Sequence, residues 1–319
     1  MSTLGGNVAE NAGGLRGLKY GVTKDYVMGL HFYDTDGELI KAGGRTVKCV
    51  TGLNLTGLMV GSEGTLGVVS EIILKLVPPP AAAKAMMAIF DDVEAASRTV
   101  SAIIAAKIVP ATLEFMDNFT IRAVEEFSRV GLPVDAKALL LIEVDGHPGM
   151  VEEDAAKVEE LCRKHGAVRI QVAKDAAERN KVWEARRAAL SALARVSPTT
   201  VLEDATVPRS QIPAMIKALD DIAAKYKLTI GTFGHAGDGN LHPTILTDKR
   251  NAEEWRRVEA AVDEIFDVAL SLGGTLSGEH GIGLAKSKYL EKETTRGTIL
   301  FSRRLKKALD PKGILNPGK

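Results

Sequence analysis

The chain changes character three times along its 319 residues. In residues 1–77 the apolar stretches are short and broken by glycine, as in "LGGNVAENAGG", "YDTDGELIKAGG" and "VGSEGTLGVVSEIILKLVP". These segments read as short strands and loops. "YVMGLHFYDTDGELIKAGG" reads as a strand, a turn at Asp36–Gly37 and a second strand, because Asp-Gly favours a tight reversal between alternating runs. "GVVSEIILKLV" (67–77) reads as another strand. Pro78, Pro79 and Pro80 end it, since proline donates nothing to a ladder. A domain boundary is expected there.

From 84 to 246 strand-length apolar runs alternate with helical spacing. "KAMMAIF", "LLLIEVDG", "AVRIQVA", "TTVLEDATV" and "LTIGTFGH" read as strands. "DVEAASRTVSAIIAA" places Val93, Ala96, Val100, Ile103 and Ile104 at helical spacing, with Asp91 or Asp92 as the cap. "MVEEDAAKVEELCRKHG" has acids early, bases late and a closing Gly166, which marks a second helix. Further helices are expected over 175–195 and in "SQIPAMIKALDDIAAKY". Residues 251–319 read as mostly helical, with "GGTLSGEHGIG" as a loop between helices. The pattern predicts an α+β fold, its sheet covered by helices on one face. Three segments follow: 1–80, 81–246 and 247–319.

Composition narrows the function classes. The chain is 45% hydrophobic and 26% charged with zero formal net charge, as in a soluble globular protein without a basic footprint for nucleic acid. No apolar run approaches the ~20 residues that span a bilayer. "MSTLGGNVAEN" has neither a basic nor an apolar leader region and reads as no signal peptide. The two cysteines, Cys49 and Cys162, make no disulfide framework, so a reduced cytoplasmic setting is expected.

Half of the six histidines fall in two glycine-rich stretches, "TFGHAGDGNLH" and "SGEHGIG". The first reads as a hairpin with a loop of about five residues. His235 and His242 can then lie opposite each other with β-carbons ~4.5–5.5 Å apart, close enough to share one ion. Glu279 would complete a two-histidine, one-carboxylate set with open positions for substrate. His280, adjacent in an extended segment, would face the other way and could act as a base near neutral pH. Packed or surface histidines explain the same pattern. The front clusters "GGNVAENAGG" and "GSEGTLG" match neither the dinucleotide fingerprint nor a phosphate loop. Their backbone amides suit an anion, a flat ring or ordinary turns.

Taken together, "STLGGNVAENAGGLRGLKYGVTKDYVMGL", "TGLNLTGLMVGSEGTLGVVSEI", "FGHAGDGNLHP", "SGEHGIGLAK" and "LDPKGILNPGK" resemble the FAD-linked oxidases of the vanillyl-alcohol oxidase type. The similarity is to their glycolate oxidase flavoprotein, D-lactate and D-2-hydroxyglutarate dehydrogenase branch. It covers the chain from residue 2 onward. It implies that 1–80 is the second half of the FAD-binding domain, 81–246 an antiparallel-sheet cap over the substrate, and 247–319 a helical segment returning to the flavin.

The resemblance implies FAD contacts at Gly6, Asn7, Asn11, Gly13, Gly14, Glu63, Gly64, Gly67, Val68 and Asn316. It implies a divalent metal (Zn, Mn or Fe) on His235, His242 and Glu279, and a base at His280. Arg186 and Asn240 would bind substrate, although Arg186 alone reads as a solvated helix charge. "TTVLEDATVP" lacks the lysine that 2-hydroxyglutarate enzymes use for a distal carboxylate, which favours a small monocarboxylate. The implied reaction takes a D-2-hydroxy acid to its 2-oxo acid. Electrons would pass to an acceptor protein or quinone-linked subunit, with attachment to the inner membrane through that partner. The first FAD subdomain is expected from outside these residues, through a truncation, a misassigned start or a split gene, the last placing it on a separate chain. The alternatives are a partner-dependent or inactive fragment that does not hold FAD alone, and a metal-dependent hydrolase.

Overall fold

The computed structural model describes residues 2–319. Its contacts divide the chain into two units. One comprises Met1–Gly14, Gly21–Pro79 and Leu276–Lys319; the other comprises Leu15–Tyr20 and Pro80–Thr275. In chain order the front of the molecule forms α1 (Leu4–Glu10), α2 (Gly17–Tyr20), β1 (Val27–Tyr33), β2 (Leu39–Gly43), α3 (Leu55–Met59) and β3 (Val68–Leu74).

In the first unit β1 runs between β2 and β3, all antiparallel. Leu30 and Phe32 point from β1 into a core with Val8, Ala42, Met59 and Leu66. The expected Asp36–Gly37 reversal is present. Asp34 Oδ1 accepts the Asp36 and Glu38 amides, each at 2.9 Å. The reading of 1–77 as strands and loops alone is corrected by α1 and α3. Thr3 Oγ1 accepts the Gly6 amide at 3.0 Å and starts α1 despite its two glycines; Asn11, at φ 51°, ends it. Local capping outweighed helix propensity there.

The second unit continues with β4 (Ala82–Phe90), α4 (Val93–Ala105), β5 (Thr112–Asp117), α5 (Asn118–Ser128), β6 (Ala138–Gly146), α6 (Pro148–Lys164) and β7 (Ala167–Val172). Then come α7 (Ala176–Leu193), β8 (Thr199–Leu202), β9 (Ala205–Thr206), α8 (Ile212–Tyr226), β10 (Thr229–His235), β11 (Asn240–Thr247) and α9 (Ala252–Ser271). The sheet order is β7-β4-β6-β5-β10-β11-β8, with β9 also on β11, and every pairing is antiparallel.

The mixed class is as expected, but helices cover both faces rather than one. Met87, Ile89, Leu139 and Leu141 pack with α5 and α7. Their alternates Met86, Ala88, Phe90, Leu140 and Ile142 are equally buried. On a two-fold pleat such continuous burial requires a layer on each side. β5 and α5 escape the sequence pattern. The expected strand "TTVLEDATV" is broken at Glu203–Asp204 into β8 and β9. Of residues 247–319, α9 belongs to the sheet unit, burying Val258, Ala261, Ile265 and Phe266. Leu276–Lys319, with α10 (Leu290–Glu293) and α11 (Arg296–Leu309), belong to the first unit. Among the described residues no helix is long and apolar enough to cross a membrane. Cys162 is buried, which pushes its thiol up to about 12.

Asp117 joins β5 to α5. Its Oδ1 accepts the Thr120 amide at 2.8 Å and its Oδ2 the Thr232 amide at 2.6 Å. Loss of water pushes its carboxyl from 3.8 up to about 6, against the pull of those amides. A carboxyl raised on folding stabilises in its protonated form. That contribution is complete below about pH 4 and lost as pH climbs through 6. Urea titrations should show wild type losing stability relative to Asp117→Asn between pH 4 and 6, with a constant difference above pH 7.

Candidate functional site

One face of the large sheet changes from apolar to charged along its strands. Leu141 on β6 is paired with Glu114 on β5, so Glu143 and Asp145, two and four residues further, share that face. All three carboxylates are buried, Glu114 most deeply. Each has a cation. Glu143 receives Arg16 at 3.3 Å and the Trp183 indole N–H at 2.8 Å. Asp145 receives Lys19 and Tyr20 Oη, at 2.6 and 2.7 Å. Glu114 Oε2 receives Arg186 Nε at 2.5 Å. Trp183 and Arg186 are three apart on α7 and therefore reach down from one helix face.

The strip continues onto the β10–β11 hairpin. Its loop has four residues, 236–239, and its register sets His235 opposite Asn240 and Phe233 opposite His242. The histidines are thus diagonal partners rather than directly opposed ones. They still share a face, and their rings meet edge to face with centroids 5.1 Å apart. Both are buried. Glu114 Oε1 lies 2.8 Å from His235 Nδ1, within hydrogen-bond reach. Asp204 Oδ1, in the break between β8 and β9, lies 4.0 Å from His242 Nδ1. Asn240 Oδ1 accepts from Thr206 Oγ1 at 3.0 Å.

Arg186 is a buried group and no solvated helix charge. Besides Glu114, its guanidinium stacks over Phe233 with Cζ 4.8 Å from the ring centroid, and Phe233 in turn contacts His242. The second unit therefore gathers His235, His242, Asn240 and Arg186 in one buried patch. Two neutral imidazoles backed by a carboxylate are a donor set that suits a divalent transition metal. A planar cation beside them suits a carboxylate.

Glu279 and His280 lie in the first unit, on the bend after Leu276. His280 Nε2 is 3.9 Å from Glu279 Oε1, so the two side chains share a side. The expected opposition fails because residues 278–280 bend rather than extend. Glu279 lies against Gly13. Glu63, at φ 51°, accepts the Ile282 and Gly283 amides with its two carboxylate oxygens, each at 3.1 Å. Asn316 Nδ2 donates to the Glu63 carbonyl at 2.6 Å, and Asn11 Oδ1 accepts the Lys24 amide at 2.8 Å.

These side chains thus brace the loops of the first unit. Gly6 and Asn7 are in α1, Gly67 lies against Phe32 and Met59, and Val68 opens β3 half exposed. Gly14 and Gly64 have open space where a β-carbon would stand. That backbone surface suits the close approach of a flat ring such as a flavin. Sequence reasoning missed Glu114, Glu143, Asp145 and Asp204. The available signal was an acid inside an apolar strand, as in "ATLEFM" and "LLLIEVDG".

Comparison with known proteins adds the following. Residues 79–319 match the family of FAD linked oxidases, C-terminal domain, and residues 1–43 match the FAD binding domain. The chain is 56% identical over 319 residues to glycolate oxidase subunit GlcD of Bacillus subtilis (strain 168), covering 100% of this chain and 68% of that subunit. It is 41% identical over 317 residues to GlcD of Escherichia coli (strain K12), covering 99% and 63%. It is 34% identical over 331 residues to D-lactate dehydrogenase of Anaerostipes hadrus, covering 100% and 69%. The chain thus spans 63–69% of these relatives' lengths. Among solved structures, 4-ethylphenol oxidase from Gulosibacter chungangensis gives a TM-score of 0.77 at 14% identity, covering 100% of this chain and 69% of that one. p-Cresol methylhydroxylase gives 0.75 at 16%, covering 98% and 68%. These last two likenesses speak to fold.

Proposed function

Because the chain belongs to the FAD-linked oxidases, we propose that it oxidises a D-2-hydroxy acid of the glycolate or D-lactate type to the 2-oxo acid. The observation that carries this is the buried patch in which Arg186, His235 and His242 meet around Glu114 and Phe233. A 2-hydroxy acid presents a carboxylate and an adjacent hydroxyl. A planar cation and a pair of imidazole donors within one patch answer those two groups.

In this reading Arg186 orients the substrate carboxylate, using the guanidinium edge away from its Nε bond. His235 and His242 hold a divalent ion, and the sequence motifs add Glu279 as its carboxylate ligand. Asn240, buried at the end of the hairpin, contributes an amide to the same patch. His280 takes the hydroxyl proton. When bound, the metal supplies Lewis acidity at the substrate oxygens and FAD supplies the acceptor for the hydride from C2. Gly13, Gly14, Glu63 and Gly64 present the surface that faces the flavin. Gly281, at φ +77°, lets the His280 loop pass against Glu63 and Glu10. The relatives named as glycolate oxidase subunits support a partner subunit, to which this reading assigns the electrons.

The test is anaerobic mixing of the metal-loaded flavoprotein with glycolate and with D-lactate. Bleaching of the flavin band is expected, with loss of at least ~10²-fold in rate for His280→Ala at unchanged metal content. An unchanged rate in that variant removes the base assignment. A colourless protein that hydrolyses esters with the same metal would replace the whole reading.

A further inference from the structure

Glu114 stands outside the residues assigned to binding or chemistry, yet two of them converge on it. We propose that Glu114 is a positioning residue that fixes the tautomer of His235 and the orientation of Arg186 together. One carboxylate oxygen is 2.8 Å from His235 Nδ1 and the other 2.5 Å from Arg186 Nε. A carboxylate that accepts from Arg186 accepts from the imidazole as well. The hydrogen is therefore on Nδ1, which puts the metal-binding lone pair of His235 on Nε2.

The placement is fixed by the fold. Glu114 is paired with Leu141 in the middle of the sheet, and Arg186 closes over it from α7. Its side chain is 1% exposed and that of Arg186 is 9% exposed. Neither partner can turn to water to find another bond. Any movement of the carboxylate is thus shared between the imidazole and the guanidinium. The same carboxylate sets the ring that would face the metal and the cation that would face the substrate carboxylate. Glu143 and Asp145, on the same face, bind Trp183, Arg16, Lys19 and Tyr20 instead, so the task falls to Glu114 alone among these three acids.

This inference rests on His235 being a metal ligand, so the experiment separates the two. The full chain with ¹⁵N-labelled histidine is examined by NMR without metal, with His235→Ala giving the assignment. The expected spectrum is the Nδ1–H tautomer for His235 in wild type. In Glu114→Gln it should be lost or mixed, since one amide cannot accept from both partners. Mn²⁺ titration followed by EPR should then show a 10–100-fold weaker site in Glu114→Gln, the usual cost of removing a partner behind a ligand. The Arg186-dependent KM for substrate should rise with it.

Glu114→Asp, which keeps the charge but shortens the reach, should fall between the two and serves if Glu114→Gln does not fold. An Nε2–H tautomer in wild type overturns the proposal, and so does Mn²⁺ affinity that neither variant changes. If wild type shows the Nδ1–H tautomer but takes up no Mn²⁺, Zn²⁺ or Fe²⁺, the hold of Glu114 on His235 stands and the metal reading fails.

Discussion

Gly239→Ala should unfold the histidine hairpin at lower denaturant than any other single methyl added to its loop. Two costs combine there. Gly239 has φ +89°, which an alanine adopts at about 1–2 kcal/mol. Its new β-carbon would also collide with the Val207 carbonyl oxygen, a backbone atom with nowhere to go. Val207 in turn donates its amide to the Gly239 carbonyl at 3.0 Å, and Gly239 donates to His235 at 3.0 Å. The strain is therefore passed directly to the residue that precedes the loop. A total of about 3 kcal/mol is expected from guanidinium unfolding. Gly37→Ala is the control. Gly37 has φ +82° with nothing within 4 Å of a β-carbon, so it reports the dihedral cost alone. Equal losses in the two variants would mean that crowding at Val207 does not limit the hairpin.

Arg186→Ala should cost about 3–5 kcal/mol, the range for stripping the partner from a buried charge. The loss arises mainly from Glu114, which is left wholly buried without its cation. Arg186→Met in a Glu114→Gln background should recover much of it, because the charge is removed along with its partner. A double-mutant cycle in urea measures the coupling directly. Arg186→Lys is expected to behave more like alanine than like wild type. An ammonium cannot both reach Glu114 through a fixed planar edge and stack on Phe233. Additive single and double variants would show that the pair contributes nothing beyond packing.

Much of the fold is legible in the chain. The helices over Val93–Ala105 and Pro148–Lys164 follow their apolar spacing and end chemistry, and Asp92 caps the first as the pattern implies. The β1–β2 reversal follows from Asp-Gly. What escaped is what depends on partners distant in sequence. β5 and α5 are short, and the acids in and after "ATLEFM" look like surface positions until Arg186, 72 residues on, and Thr232 are in place.

The site divides in the same way. The hairpin and its two histidines were readable because the loop residues and both imidazoles lie within one local stretch. Their diagonal register was not, since four loop residues rather than about five decide it. Arg186 read as solvent-facing because helix spacing alone does not reveal a buried acid waiting beneath it. Just past the bend that turns Glu279 and His280 to one side, Glu63 holds Ile282 and Gly283 by two bonds across more than 200 positions that no local pattern encodes.

The short piece Leu15–Tyr20 has a practical consequence for anyone dissecting this molecule. It belongs with the large sheet, while the residues immediately before and after it belong with the other unit. Arg16 and Lys19 supply the countercharges for Glu143 and Asp145. Excising 80–275 as a contiguous gene segment would keep every strand of the sheet yet lose α2 and strip two buried acids of their countercharges. The sheet unit of this protein is discontinuous in sequence, and a faithful expression unit needs the six-residue patch grafted back or supplied as a peptide.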